Sequence, residues 1–502
     1  MTGKRTVLGL KAPNPELEAE LDKNFEIGVY DVLLPCRSFR VDHKVAELGR
    51  VSITTEFLLR LLKQIGPMRE DDIAAFFGFD HREMAFLMSE VEQNDYAIRR
   101  NGMAQLTSSG EALFRENPDQ PEIIEVESRH EVVGFDLIAL APESRFDSDR
   151  FEKQLPELKA FDVKALSSTS GKIPKAFGKF YGELMARKGK SHQNAKKSLY
   201  SVDAVEPKGR FMSSIRMSVV SSGTRPGLAE VDLTEWRPEF ERDERQPIVE
   251  ACSAFLDRLK SNRKSSTDRD AYNLLTKFAP NFFKNFLRLD GLSVERYFRE
   301  SLTRAGEFQS NRSTVPLLGS LLTRENTKRV LSGIEHGFPK TPARPDCLVW
   351  AVPQVPYWNA TTALPEFLQR IKGYSLARND EDDSPSKSSR TIGLVSGRPE
   401  RYIETAYDIL ATTDRQILLP ALEVFLIPGI FTAASVLAPI GAHDAVPVPL
   451  GFASFDKEVC RRVTDYITDN ISAYQNGEAV QSALAEASAT IEAGQSSEGD
   501  GS

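Results

Sequence analysis

The chain of 502 residues has few cysteines and no pattern among them: Cys36, Cys252, Cys347 and Cys460 lie far apart and form no CxxC pair. That spacing gives no sign of a thiolate zinc site or of a disulfide framework, and it reads as a reducing, cytoplasmic setting. The six histidines (His43, His81, His130, His192, His336, His443) are scattered and build no HExxH, so no zinc-protease helix is encoded. Gly393-Leu394-Val395-Ser396-Gly397 carries its serine one place too late for a GxSxG elbow. Ser167 to Lys172 lacks both the glycine and the Ser/Thr of a phosphate loop, because Leu166 and Ile173 stand there. No metal, cofactor or catalytic residue is expected from these patterns. Near the start only Val7 to Leu10 is apolar, too short for a secretory segment. The nearest approach to a membrane span is Val424 to Ala442, 19 residues without a charge but interrupted by Pro428, Gly429 and Pro439. Those breakers predict a buried strand followed by a short buried helix, with no membrane partner.

What is present begins with charge. Sixty-four Lys and Arg against 72 Asp and Glu leave a net −8, so any contact with a polyanion must be local. The balance is uneven. Between Lys172 and Lys197 eight bases (Lys172, Lys175, Lys179, Arg187, Lys188, Lys190, Lys196, Lys197) meet one acid, Glu183, a local +7 that leaves −15 for the rest. Phe177, Phe180 and Tyr181 interleave with the bases, a pairing suited to phosphates and unstacked bases. The competing reading is a solvated face that docks on the protein's own acids.

Apolar spacing sets the organisation. Residues 1–50 form an extension with one strand, Phe25 to Val32, which Pro35 should end. From Val51, Phe57, Leu58, Leu61, Leu62 and Ile65 form a helical stripe stopped by Gly66-Pro67. A second helix runs from Glu70 to Phe77, and a third from Asp80 buries Met84, Leu87, Met88 and Val91. Two short strands then flank Asn101-Gly102, the dipeptide of a type I′ hairpin. Helix, helix, turn, helix and hairpin over Val51 to Arg115 resembles a winged-helix domain (residues 51–116). In that family the third helix commonly enters the major groove and the hairpin wing touches the backbone. Here the third helix holds five acids against Arg82, which would repel phosphate, whereas the wing offers Arg99 and Arg100. His81 and Arg82 are its only base-edge candidates. Contact with protein is the other reading of the module.

Residues 117–246 read as a β-rich unit: an acidic connector, then strands at Val132 to Leu140, Tyr200 to Val205, Phe211 to Val220 and Ala229 to Leu233, with a turn at Pro207-Lys208-Gly209. Residues 247–335 read as a helical connector. Residues 336–476 alternate strand and helix, which implies a mostly parallel α/β sheet. Its ligands would gather beyond strand ends at Gln354, Ser396, Gly397, Arg398, Gly429, Ser454 and Asp456, with Ser396-Gly397-Arg398 a possible anion site. Residues 477–502 are expected to be disordered. The fold class is thus multidomain α/β and α+β. The expected function is a non-catalytic adaptor that binds nucleic acid, DNA in preference to RNA, together with partner proteins. Its architecture is similar to that of bacterial phage-defence or mobile-element components. A divergent hydrolase or nuclease in the C-terminal unit and a purely structural interaction subunit remain as alternatives.

Overall fold

The computed structural model describes residues 24–48, 52–114, 119–121, 124–159, 169–187, 197–240, 245–260, 266–304, 306–338, 347–376, 390–441 and 445–487. The chain is mixed α/β and builds several sheets. Its first strand, β1 (Asn24–Leu48), does not stop at Pro35. A proline in a strand is tolerated where its missing N–H has no partner to serve, and Pro35 lies just past the last residue that pairs with β5, Cys36.

The chain then enters a helical insert: α1 (Ile53–Ile65), β2 (Met68–Arg69), α2 (Glu70–Phe77), α3 (His81–Gln93), β3 (Ala97–Arg100), β4 (Met103–Leu106) and α4 (Ser108–Ala112). Local chemistry sets these limits. Ser52 Oγ accepts the Thr55 amide to start α1, and Asp80 with Glu83 forms a capping box on α3. Asn101 and Gly102 both take positive φ, as a type I′ turn needs. Leu58, Leu59, Leu62, Ile73, Met84, Leu87, Met88 and Val91 close a core of their own. The predicted stripe was rotated: Phe57 and Ile65 of α1 are exposed, and Leu59 is buried instead.

β5 (Ile124–Asp136) returns along β1 in register from Leu48 opposite Ile124 to Cys36 opposite Asp136. The insert therefore occupies the turn of a hairpin, and the strand of the first 50 residues is no separate extension but a member of the β-rich sheet. After α5 (Thr169–Arg187), β6 (Lys197–Ser222) pairs with β1 over nearly its whole length, and β7 (Arg225–Asp232) completes the order β5-β1-β6-β7. No turn interrupts β6 at Pro207-Lys208-Gly209. A bulge absorbs those residues, since Arg37 pairs with Arg210 and Phe39 with Pro207, and Arg37 Nε donates to the Lys208 carbonyl at 3.1 Å.

Beyond it come α6 (Gln246–Leu259), α7 (Ser266–Phe278), α8 (Pro280–Phe283), the small hairpin β8 (Leu287–Arg288) and β9 (Gly291–Leu292), and α9 (Val294–Thr303). The region expected to be helical also supplies a sheet strand, β10 (Thr314–Leu318), before α10 (Arg324–Gly337). Then follow β11 (Cys347–Val352), α11 (Ala363–Leu376), β12 (Arg390–Ser396), α12 (Arg401–Ala406), β13 (Ile409–Thr413), β14 (Leu422–Ile427), β15 (Phe431–Ala438), β16 (Val448–Ser454) and α13 (Lys457–Ile471). The seven-stranded order is β10-β16-β15-β14-β11-β12-β13. Only β11–β12 and β12–β13 are parallel, so the expected mostly parallel sheet is in fact mixed. The charge-free run from Val424 folds as a strand pair, β14 and β15, joined at Pro428-Gly429, and not as strand plus helix. Alternate residues face two cores: Val349, Val424 and Phe452 one, Trp350, Phe425 and Ala453 the other. The base of β1 and β6 joins the first core through Val32, Leu34, Ile215 and Met217.

The tail expected to be disordered begins instead with α14 (residues 477–487), which buries Val480, Leu484 and Ala487 in the first core. Its remainder, like the polar loop before Arg390, lies outside the described residues. Among the described residues no helix is long and apolar enough to cross a membrane.

Candidate functional sites

The basic segment divides in two. In α5, Ile173, Phe177, Phe180, Tyr181, Leu184 and Met185 recur at three and four and press on Phe39, Val41, Val45, Val133 and Phe135. Burying each such side chain stabilises by about 1.5–3 kcal/mol, so this face is spoken for. Phe177, Phe180 and Tyr181, expected to stack on bases, are core residues; the first and last also pack edge-on against the buried His43 ring at 5.0 and 5.6 Å.

The opposite face carries Lys172, Lys175 and Lys179, all exposed. Their separations of three and four residues place them on one stripe with a rise of about 10 Å. Lys179 lies 5.1 Å from the Phe180 ring centroid. Lys172 and Lys175 have no ion pair among the described residues. Arg187 does not join this surface: Glu239 pairs with it at 3.2 Å, and its guanidinium stacks 4.2 Å from the Phe240 ring centroid. Lys188, Lys190 and Lys196 lie outside the described residues. Lys197 opens β6 opposite Glu47.

The wing changes in the same way. Arg99 is exposed, and Glu70 at 2.9 Å and Glu92 at 3.7 Å pair with its guanidinium. Arg100 is exposed beside the turn. Part of the acidity of α3 is thereby consumed internally: Glu83 closes the capping box, Glu92 faces Arg99 and Glu90 accepts from Ser52 Oγ at 3.2 Å.

In the C-terminal sheet, strand direction separates the expected ligand set. β14 and β16 run against β11 and β12, so Gly429, Ser454 and Asp456 sit at the edge opposite Gln354 and Ser396. Asp456 caps α13 by accepting the Glu458 and Val459 amides. At the other edge, Gln354, Ser396, Gly397, Arg398 and Glu400 do line one cleft, of about 300 Å³. The expected amide anion site is not assembled there. Gly397 N–H is used on the Thr413 carbonyl at 2.7 Å, and α12 is only six residues long. Arg398 is exposed and makes no ion pair among the described residues. Ser396 Oγ and the Tyr474 hydroxyl are 3.2 Å apart, and Gln354 Nε2 donates to the Ser396 carbonyl at 3.0 Å.

Glu400 escaped the sequence reading. Burial raises its carboxyl above the usual range, opposed by the Tyr357 amide at 3.0 Å and by nearby Arg258. The signal was Pro399-Glu400, an acid opening a helix directly after the cleft residues. Deeper in the sheet, Glu423 is fully enclosed and accepts from Ser435 Oγ at 2.7 Å, Trp350 Nε1 at 3.1 Å and Trp358 Nε1 at 3.2 Å. Burial again raises the carboxyl, opposed by those three hydrogen bonds. Beside it lies a cavity of about 20 Å³ lined by Tyr30, Asn359 and Glu423.

All four cysteines are buried and none is in a disulfide. Among the described residues no group of three His, Cys, Asp or Glu side chains is placed to hold a metal ion. Comparison of the chain with protein-family models, with curated proteins and with solved structures finds no match.

Proposed function

We propose that this protein is a nucleic-acid-binding adaptor that also contacts other proteins. The observation that carries the reading is the stripe Lys172, Lys175 and Lys179, held on the solvent face of α5 by the apolar face beneath it. Its rise of about 10 Å matches about three phosphate-to-phosphate steps along one DNA strand. Residues 52–114 are proposed as a winged-helix module turned to protein contact. Its third helix is acidic, and Phe57, Phe76 and Phe86, one on each of α1, α2 and α3, are each more than half exposed, which suits a basic, apolar partner surface. Lys172→Glu, Lys175→Glu and Lys179→Glu together should weaken binding of duplex DNA at least tenfold at low salt. The same variant should reduce the slope of log affinity against log salt by about 2–3. Unchanged affinity and slope, measured by electrophoretic shift at two salt concentrations, would remove the reading.

One observation favours a second reading, a hydrolase in the C-terminal sheet. Arg398 and Glu400 share a cleft with Ser396, and a carboxyl raised by burial is suited to proton transfer. Under it, Glu400→Gln should abolish turnover on a panel of phosphodiester and ester substrates. A wild-type protein with no turnover on that panel counts against it.

A further inference from the structure

A second cationic surface lies outside the basic segment. Arg269 from α7, Arg288 from β8, and Arg296 and Arg299 from α9 line an open cleft of about 720 Å³ with Asp290, Leu292, Ser293, Val294 and Glu295. Four cations against two acids give this lining a net +2. The two acids do not cancel the arginines evenly. Arg269 is the one held by Asp290, donating from Nε to its carbonyl at 3.0 Å and standing 3.8 Å from its carboxylate. Arg296 lies 5.9 Å from the Phe286 ring centroid. Arg288 and Arg299 are exposed, with no hydrogen bond or ion pair among the described residues. Each therefore offers a planar fork of donors with the geometry of a phosphate edge.

Two further features shape what could bind. Ser293 opens the ten-residue α9 without a side-chain cap, so the positive end of that helix faces the same cleft. At the tip of the β8–β9 hairpin Leu289 is fully exposed next to Arg288. The lining contains no aromatic side chain. A free nucleotide would need an enclosed slot for its base, and this cleft is open, with only Leu292 and Val294 apolar in its lining. An extended polymer needs only a track of cations, with an apolar residue at its edge.

We infer that this cleft binds the phosphodiester backbone of a nucleic-acid strand, Arg288 and Arg299 each taking a phosphate and Leu289 meeting an adjacent base. It extends the function proposed above but does not depend on the α5 stripe. The test uses the full chain with three 20-nucleotide probes (single-stranded DNA, duplex DNA and RNA) at two salt concentrations. Arg288→Glu with Arg299→Glu should weaken binding of the preferred probe at least tenfold and lower the salt slope by about 1.4–1.8, the amount for two lost phosphates. The control is Lys328→Glu with Lys457→Glu, an equal change in net charge on exposed residues elsewhere. A cleft variant that behaves like this control overturns the inference, as does a wild-type protein that binds none of the probes. If the reversed variant fails a thermal-melting check, Arg288→Gln with Arg299→Gln decides by the same criteria. Polyphosphate and phosphatidylserine vesicles form the competing arms: loss of binding confined to either one overturns the nucleic-acid assignment. Loss with the arginine pair but not with the α5 lysines would sustain this inference and sink the stripe; the reverse would sink this inference alone.

Discussion

The α5 stripe and the arginine cleft hold positive charge in opposite ways. The first comes from a segment in which eight bases crowd into 26 residues. Folding then spends Arg187 on Glu239 and Phe240, and turns the interleaved aromatics inward. In the second, four arginines are spread from residue 269 to residue 299 among acids, and folding gathers them around one cavity. Charge density along a chain is therefore a poor guide to charge density on a surface. Helix periodicity sorts neighbours onto different faces, and tertiary packing brings distant residues together.

The largest effect that would sharpen this contrast is structural. Phe177→Ala should lower stability by about 3–5 kcal/mol in denaturant unfolding, the cost of emptying a large buried aromatic site. A stable variant with weakened single-strand affinity would instead restore the aromatics to a binding face. Next, the five charge reversals of both surfaces together should lower the salt slope by about 3.5–4.5. If both surfaces grip one strand, the losses multiply; if they grip separate strands, each variant leaves the other's affinity intact.

A buried charge should behave unlike either surface. Because burial raises the Glu423 carboxyl in the folded state, folding favours its protonated form. Its stabilising contribution is full below the ordinary carboxylate value and is lost as pH rises through the folded value. Trp350 and Trp358, two of the three tryptophans, donate to it. Intrinsic emission should therefore show a step above the ordinary carboxylate range, and Glu423→Gln should remove the step. The smallest effect is expected at the wing: Arg99→Gln, already paired with Glu70 and Glu92, should cost about 0.2–1 kcal/mol of stability and change DNA affinity less than about threefold, by titration.

What was legible in the sequence was local. The start of α3 at Asp80 and the Asn101-Gly102 turn depend on residues two to four apart, and the third helix and the hairpin fall where those signals put them, whereas β2 went unread. What was illegible depends on partners elsewhere. The bulge that carries β6 through Pro207 to Gly209 is defined by Arg37 and Phe39 on β1. β15 shows no alternation because both of its faces are buried, so its period could not tell strand from helix. Strand direction, which moved Asp456 away from Ser396, is likewise fixed by pairing and not by composition. In the candidate sites, Lys172, Lys175 and Lys179 stood out by charge density, but the helix that aligns them lay in a region expected to be β-rich. The arginine cleft did not stand out, because its four arginines are interspersed with Asp270, Asp290 and Glu295 and make no run of charge.

The helical insert at the hairpin turn also bears on how the polypeptide acquires its shape. β1 is made well before β6, with which most of its ladder forms. Meanwhile the insert between them packs its own core from residues 58–114. Distant pairings close late because the intervening loop must lose its freedom first. The molecule should thus mature from an interior segment outward, with the leading strand waiting. Pulse-labelled hydrogen exchange would show this as early protection between Leu58 and Val91 and late protection from Asn24 to Cys36. Simultaneous protection of both would contradict that order.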